Sequence, residues 1–136
     1  ERAARLYKQA LEVDPQDSTT LAQYAQLLLT SKKDPKEAEA HFKRALEADP
    51  ENLIAIGNYG LMLQHYKRYD EAERVYEKGI SLAPEDPDLL CNYAQFLQKK
   101  RKNYKEAARL YEIALKSEED HLRSLCNLGV LVGRQG

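Results

Sequence analysis

Residues 38–50 read AEAHFKRALEADP, and the pattern Ala38-x3-Phe42-x2-Ala45-x4-Pro50 within them decides the fold. It recurs upstream as Ala3-x3-Tyr7-x2-Ala10-x4-Pro15 and downstream as Ala72-x3-Tyr76-x2-Gly79-x4-Pro84. A further copy, Ala107-x3-Tyr111-x2-Ala114, carries Glu119 where the proline would stand. The leading alanines lie 35, 34 and 35 residues apart. A fixed period of that length marks a solenoid of stacked supersecondary units.

A second pattern interleaves with the first: Leu21-x2-Tyr24-Ala25-x2-Leu28, Ile56-x2-Tyr59-Gly60-x2-Leu63, Leu90-x2-Tyr93-Ala94-x2-Leu97 and Leu125-x2-Leu128-Gly129-x2-Val132. Both patterns have helical spacing. Small residues at fixed points let two helix backbones approach, and the aromatics fill the space between neighbouring units, so these columns read as core. Pro15, Pro50 and Pro84 fall just past helix ends, where a ring lacking an N–H stops a helix at little cost.

With helix A carrying the second pattern and helix B the first, the spacing predicts about eight helices and no strands. B helices are expected over Arg2–Val13, Pro35–Glu47, Asp70–Leu82 and Tyr104–Lys116, and A helices over Ser18–Ser31, Asn52–Tyr66, Pro87–Lys100 and His121–Gly133. The expected class is all-α, a right-handed α-solenoid of stacked antiparallel helix pairs in a single array. Residues 1–17 form a B helix of a partial repeat, 18–52, 53–86 and 87–121 form repeats, and 122–136 form the A helix of another partial repeat.

On these motifs the chain resembles tetratricopeptide repeat (TPR) arrays over essentially its whole length. It departs from the family pattern in two ways. The 35-residue repeats carry an extra residue, placed in the A-to-B turns SKKDP and KKRKNY, and Leu21, Ile56, Leu90 and Leu125 occupy the column of the usual family tryptophan. A chain that begins in a B helix and ends after an A helix reads as cut from a longer one.

Charged residues are 32% and apolar ones 43%, with a net charge of −1. No apolar run approaches the roughly 18 residues of a membrane span. The sequence pI near 6.4 argues against a dedicated nucleic-acid binder. Cations gather in the A-to-B turns, most densely at Lys99, Lys100, Arg101, Lys102 and Lys105, and acids in the B-to-A turns, such as Asp14, Asp17, Asp49, Asp86 and Asp88. Acids suit helix N-termini and cations C-termini. The last basic turn is less fully explained that way, which leaves an acidic or phosphate-bearing partner there as a lesser alternative.

Cys91 and Cys126 share a helix-A column 35 residues apart. Stacked helices sit about 8–10 Å apart, beyond ordinary disulfide reach. Two reduced thiols fit a cytoplasmic or nuclear setting, although a targeting signal is not assessable from a chain that starts within a repeat. His41, His65 and His121 have no zinc-ligand spacing, and no phosphate loop, nucleophile elbow or metalloprotease motif occurs. The chain reads as a non-enzyme with no cofactor and no metal.

The functional signal is a column of amides. Gln23, Asn58, Asn92 and Asn127 precede the second-pattern residue in QYA, NYG, NYA and NLG. Asparagine is unfavourable in a helix interior, so its recurrence implies compensation. An amide offers donors and an acceptor, and a row of them can hydrogen-bond the backbone of an extended peptide. The row is similar to the asparagine ladder of the superhelical TPR domains of O-GlcNAc transferase and kinesin light chain, and that resemblance implies a position along a concave helix-A groove. The competing reading has the amides hold adjacent A helices at their stacking angle.

Flanking candidates on the same face are Gln26, Leu61, Gln95, His65, Lys99 and Arg123, joined by Thr19, Ile54, Asp88 and Val130. Their mixed character favours a neutral to mildly polar peptide, with Arg123 meeting an acid. The carboxylate clamp of chaperone-binding TPR domains would need lysine at Ala22, asparagine at Gln26, and lysine and arginine at Asp88 and Asn92. Only Asn58 fits, which argues against a chaperone C-terminal tail. The leading expectation is a non-catalytic protein–protein interaction scaffold. The alternative is a structural segment self-associating through the end faces around Ala3, Ala4, Tyr7 and Leu11 and around Leu125, Leu128, Leu131 and Val132.

Overall fold

The computed structural model describes residues 2–32 and 34–117, which form seven α-helices and, among the described residues, no strand. In order these are α1 (Arg2–Val13), α2 (Ser18–Leu27), α3 (Pro35–Ala48), α4 (Leu53–His65), α5 (Tyr69–Leu82), α6 (Pro87–Lys99) and α7 (Tyr104–Ser117). The even-numbered helices are the A helices and the odd-numbered ones the B helices. The eighth expected helix, His121–Gly133, lies outside the described residues. The chain divides into two compact units, Glu1–Met62 and Leu63–Gly136, the division falling within α4.

In the first unit, Leu21, Ala22, Ala25 and Leu28 meet Ala38, Phe42 and Ala45, all at or below 1% exposure, with Ala55 and Ile56 of α4 equally buried. Phe42 stacks on Tyr59 with ring centroids 5.6 Å apart. In the second unit, Leu90, Ala94 and Leu97 pack among Ala72, Tyr76, Ala107, Tyr111 and Ala114, and Tyr76 stacks on Tyr93 at 5.6 Å. Both sequence columns are therefore core. The first copy is the exception: in α1 only Ala4 is buried, while Ala3 and Tyr7 are half-buried and Ala10 is exposed.

The three B-to-A turns among the described residues are built alike. Asp14, Asp49 and Ala83 donate N–H to the carbonyls of Ala10, Ala45 and Gly79 at 3.0, 2.9 and 2.9 Å. The next residue in each case is Pro15, Pro50 or Pro84, placed one position past the last N–H that the helix uses. The acids clustered there act locally. Asp86 Oδ2 accepts from the Leu89 N–H at 3.0 Å behind Pro87, and Asp49 Oδ1 accepts from the Glu51 N–H at 3.1 Å. Asn52, expected inside a helix, instead caps α4, its Oδ1 accepting from the Ile54 and Ala55 N–H groups at 3.0 and 3.2 Å. The Asp86 and Asn52 acceptors satisfy orphan donors of a helix start, while Asp49 closes the turn before α4.

The A-to-B turns show where the length difference goes. Leu28, Leu63 and Leu97 accept from the N–H of Asp34, Arg68 and Asn103, which begin the next B helices, at 3.1, 2.8 and 2.9 Å. The spans are six, five and six residues, matching the longer, shorter and longer repeats. In the first turn, the helix expected to run to Ser31 ends as α-helix at Leu27 and widens into a π-helical turn over Leu28–Lys32. A π turn takes up an inserted residue without abandoning the helix. The other two turns place Lys67 and Lys102 in the left-handed region, at φ 64° and 57°.

Candidate functional site

On α2, Gln23 is exposed and its side chain makes no hydrogen bond among the described residues, while Gln26, one turn later, is half-buried with Oε1 sealed from solvent and unpartnered. On α4, Asn58 is half-buried between Ile54, 49% exposed, and Leu61, 37% exposed. Ile54, Asn58 and Leu61 lie at i, i+4 and i+7, so two apolar side chains and an amide share one accessible helix face.

That face is fixed at its start by a polar bridge. Asn52 Nδ2 donates to Ser18 Oγ at 2.9 Å and Thr19 Oγ1 at 3.1 Å, and Ser18 Oγ donates to the Ala45 carbonyl at 2.8 Å. Thr19, a candidate ligand contact from the sequence, is thus also part of the join between the starts of α2 and α4.

In the second unit, Asn92 is only 8% exposed within α6, Gln95 is half-buried and Lys99 exposed. His65 is exposed and packs edge-on against Tyr66 at 4.9 Å. Asn127 and Arg123 lie outside the described residues. The amide column is thus graded from open Gln23 through half-buried Asn58 to buried Asn92, so its members are not equally available to a ligand.

The basic turn acquires a concrete role. Arg101 Nη2 donates to Asp70 Oδ1 at 2.7 Å and Glu73 Oε1 at 3.3 Å, and its guanidinium lies 5.5 Å from the Phe96 ring centre. The hydrogen bond to Asp70 raises its pKa further above the usual arginine range. Lys100 Nζ sits 5.8 Å from the Tyr69 ring centre. Two of the five cations between Lys99 and Lys105 are therefore engaged within the fold.

Sequence reasoning missed a third set of partners. Tyr76 and Tyr111 donate to Gln64 Oε1 and Gln98 Oε1 at 3.2 and 3.1 Å. The corresponding pair in the first unit is Phe42 and Leu29, where aromatic hydroxyl and amide are both absent. That matched change was available as a signal in the sequence. Cys91 is fully buried, and Cys126 lies outside the described residues. No group of His, Cys, Asp and Glu among the described residues could hold a metal ion, and no helix there is long and apolar enough to cross a membrane.

Solved structures share this architecture. PilF of Pseudomonas aeruginosa superposes with a TM-score of 0.80 at 24% identity, covering 95% of this chain and 58% of its own. The present chain therefore spans little more than half of that protein's length. YrrB, described as a TPR protein with an unusual peptide-binding site, gives 0.76 at 24% identity over 98% of this chain and 68% of its own. The first TPR of Spaghetti (RPAP3), bound to the HSP90 peptide SRMEEVD, gives 0.76 at 19% identity over 90% of this chain and 95% of its own. No curated protein matches the sequence significantly. Two family models, both of the tetratricopeptide repeat, match residues 1–52 and 29–89, together more than half of the 136 residues, and the chain belongs to the tetratricopeptide repeat family.

Proposed function

We propose that the chain is a non-catalytic protein-interaction module that takes an extended peptide on its A-helix faces. The observation that carries this reading is the α4 face, where Asn58 stands between the exposed side chains of Ile54 and Leu61. None of these three is among the buried core residues, and an amide flanked by apolar residues offers a backbone contact beside two side-chain contacts. Gln23 and Gln26 extend the surface on α2. Gln95, Lys99, His65 and the more deeply set Asn92 present a corresponding surface in the second unit, with Asn127 and Arg123 as further members of the series. The peptide-binding site described for YrrB and the peptide bound to the first TPR of Spaghetti, both on this fold, support the assignment.

One amide hydrogen bond contributes about 0.5–1.5 kcal/mol net, whereas micromolar binding requires about 8 kcal/mol. Several rungs and the apolar pair must act together. The test is peptide-display selection against the chain, followed by measurement of the enriched peptides on Asn58→Ala and Leu61→Ser variants that keep the parent's helicity and thermal midpoint. Weakening of roughly tenfold in each variant is expected. Peptides that bind the parent and both variants equally would return Asn58 to a structural role.

A further inference from the structure

Within the first unit, α1, α2 and α3 border an open cleft of about 360 Å³ lined by Lys8, Leu11, Glu12, Tyr24, Glu37 and His41. None of these residues belongs to the amide column. Two of them lack partners that the later repeats supply.

The first is Tyr24. Its counterparts Tyr59 and Tyr93 donate to Glu39 Oε2 at 2.6 Å and Glu73 Oε2 at 3.3 Å, each carboxylate 20 residues upstream. The residue 20 positions before Tyr24 is Ala4. Tyr24 is only 4% exposed, and its hydroxyl makes no hydrogen bond among the described residues. Unlike Gln26 Oε1, this hydroxyl is not sealed from solvent, so its donor and acceptor capacity is open to an occupant of the cleft.

The second is Glu37. Its counterparts Glu71 and Glu106 are each gripped by an arginine through two bonds: Arg68 Nε and Nη2 at 3.2 and 2.6 Å, and Arg109 Nε and Nη2 at 2.8 and 2.6 Å. The position of Arg68 is Asp34 in this repeat, and that of Arg109 is Ala40. The Glu37 carboxylate forms no ion pair among the described residues.

The cleft also has the right charge. Glu12 and Glu37 outnumber Lys8, which lies one turn before Glu12 on α1 and offsets one carboxylate. His41 Nδ1 is 2.8 Å from the Glu37 carbonyl. A carbonyl only accepts, so Nδ1 is the donor in this contact. The imidazole meets Tyr24 edge-on with ring centroids 5.0 Å apart.

We propose that this cleft receives an arginine side chain from a partner protein, its guanidinium pairing with Glu37 as Arg68 and Arg109 pair with Glu71 and Glu106. The planar fork matches a carboxylate through two parallel bonds and leaves N–H groups for the Tyr24 hydroxyl oxygen. Leu11 and the two aromatic edges lie along the aliphatic stem. Lysine would bring a charge without the fork. A carboxylate would restore Tyr24's lost acceptor but would face Glu12 and Glu37.

The test is an NMR titration of the 15N-labelled chain with acetyl-Gly-Ser-Arg-Ser-Gly-amide, against the same peptide carrying citrulline, lysine or glutamate at its centre. The arginine peptide should shift the amides of Tyr24, Glu37 and His41 saturably. Citrulline, of the same shape but uncharged, should bind roughly tenfold more weakly or not at all. Glu37→Gln should weaken the arginine peptide by roughly tenfold. Ala40→Arg, at an exposed α3 position standing to Glu37 as Arg109 stands to Glu106, should fill the site from within the chain and abolish binding. Both variants are compared at unchanged helicity and thermal midpoint. The proposal fails if citrulline matches arginine or the glutamate peptide binds more tightly. It fails equally if Ala40→Arg or Glu37→Gln binds as the parent does, or if no α1–α3 amide moves up to the peptide's solubility limit.

Discussion

Tyr111 and Gln98 show how single side chains keep the repeats distinct: the hydroxyl donates to Oε1 at 3.1 Å between groups 0% and 5% exposed. Gln98→Leu removes an acceptor from a buried hydroxyl and should cost roughly 0.5–1.5 kcal/mol. Combining it with Tyr111→Phe reproduces the apolar Leu29 and Phe42 pairing, so the double variant should cost less than the sum of the singles in a denaturant double-mutant cycle. Strict additivity would mean the bond does not couple them. Tyr93 gives the pH-dependent counterpart. Burial first, then the charge of Glu73, holds its pKa well above the ordinary 10.0. A raised folded pKa means stability fully present below pH 10 and lost as pH rises through the folded value. Parent stability should therefore fall relative to Tyr93→Phe in alkaline solution, and a spectrophotometric titration of Tyr93→Phe should lack one late-forming tyrosinate. Parallel stability curves for parent and variant above pH 10 would contradict this assignment.

Among the elements, the helices were legible and their joints were not. Alanine, aromatic and small residue at helical spacing located six of the seven described helices to within one residue at each end, because tertiary burial and local periodicity select the same positions. The π-helical turn at Leu28–Lys32 escaped, since an extra residue in SKKDP can be read equally as a longer loop or a wider helix. The left-handed Lys67 and Lys102 escaped as well, because lysine carries no signal for positive φ. Lys67→Gly should accordingly stabilise the chain by up to about 1 kcal/mol, the gain from relieving the left-handed backbone being partly offset by unfolded-state entropy. A lower thermal midpoint would place the cost of that turn elsewhere. In the core, Ala72 is 0% exposed and Gly79 is buried, so Ala72→Leu and Gly79→Leu should each cost roughly 1–3 kcal/mol by overpacking. For the candidate site, the amide column was legible as a pattern but its graded exposure was not. Exposure depends on what neighbouring elements cover, and helical spacing alone does not encode that.

Across the whole molecule, burial is distributed unevenly, and that sets an order of local opening. In α1 a single residue, Ala4, is buried, while Leu6 is 56% and Val13 88% exposed. In α6 nine residues are buried, from Leu89 to Gln98. Repeat arrays gain stability from each unit's own folding and from the interfaces with its neighbours, so a helix with one buried side chain contributes little interface. Its backbone bonds should open with a free energy well below that of global unfolding. Native-state amide exchange should therefore be fastest in α1 among the described helices and slowest in α6, with α3 between them through Ala38, Phe42 and Ala45. The ordering bears on the arginine cleft, because Lys8, Leu11 and Glu12 belong to α1 and an occupant seated against them would tie the least protected helix to α2 and α3. The arginine peptide should then slow exchange in α1 more than in any other described helix, while the citrulline peptide leaves it unchanged. Protection of α1 equal to that of α6 without peptide would show that burial of side chains does not govern opening here.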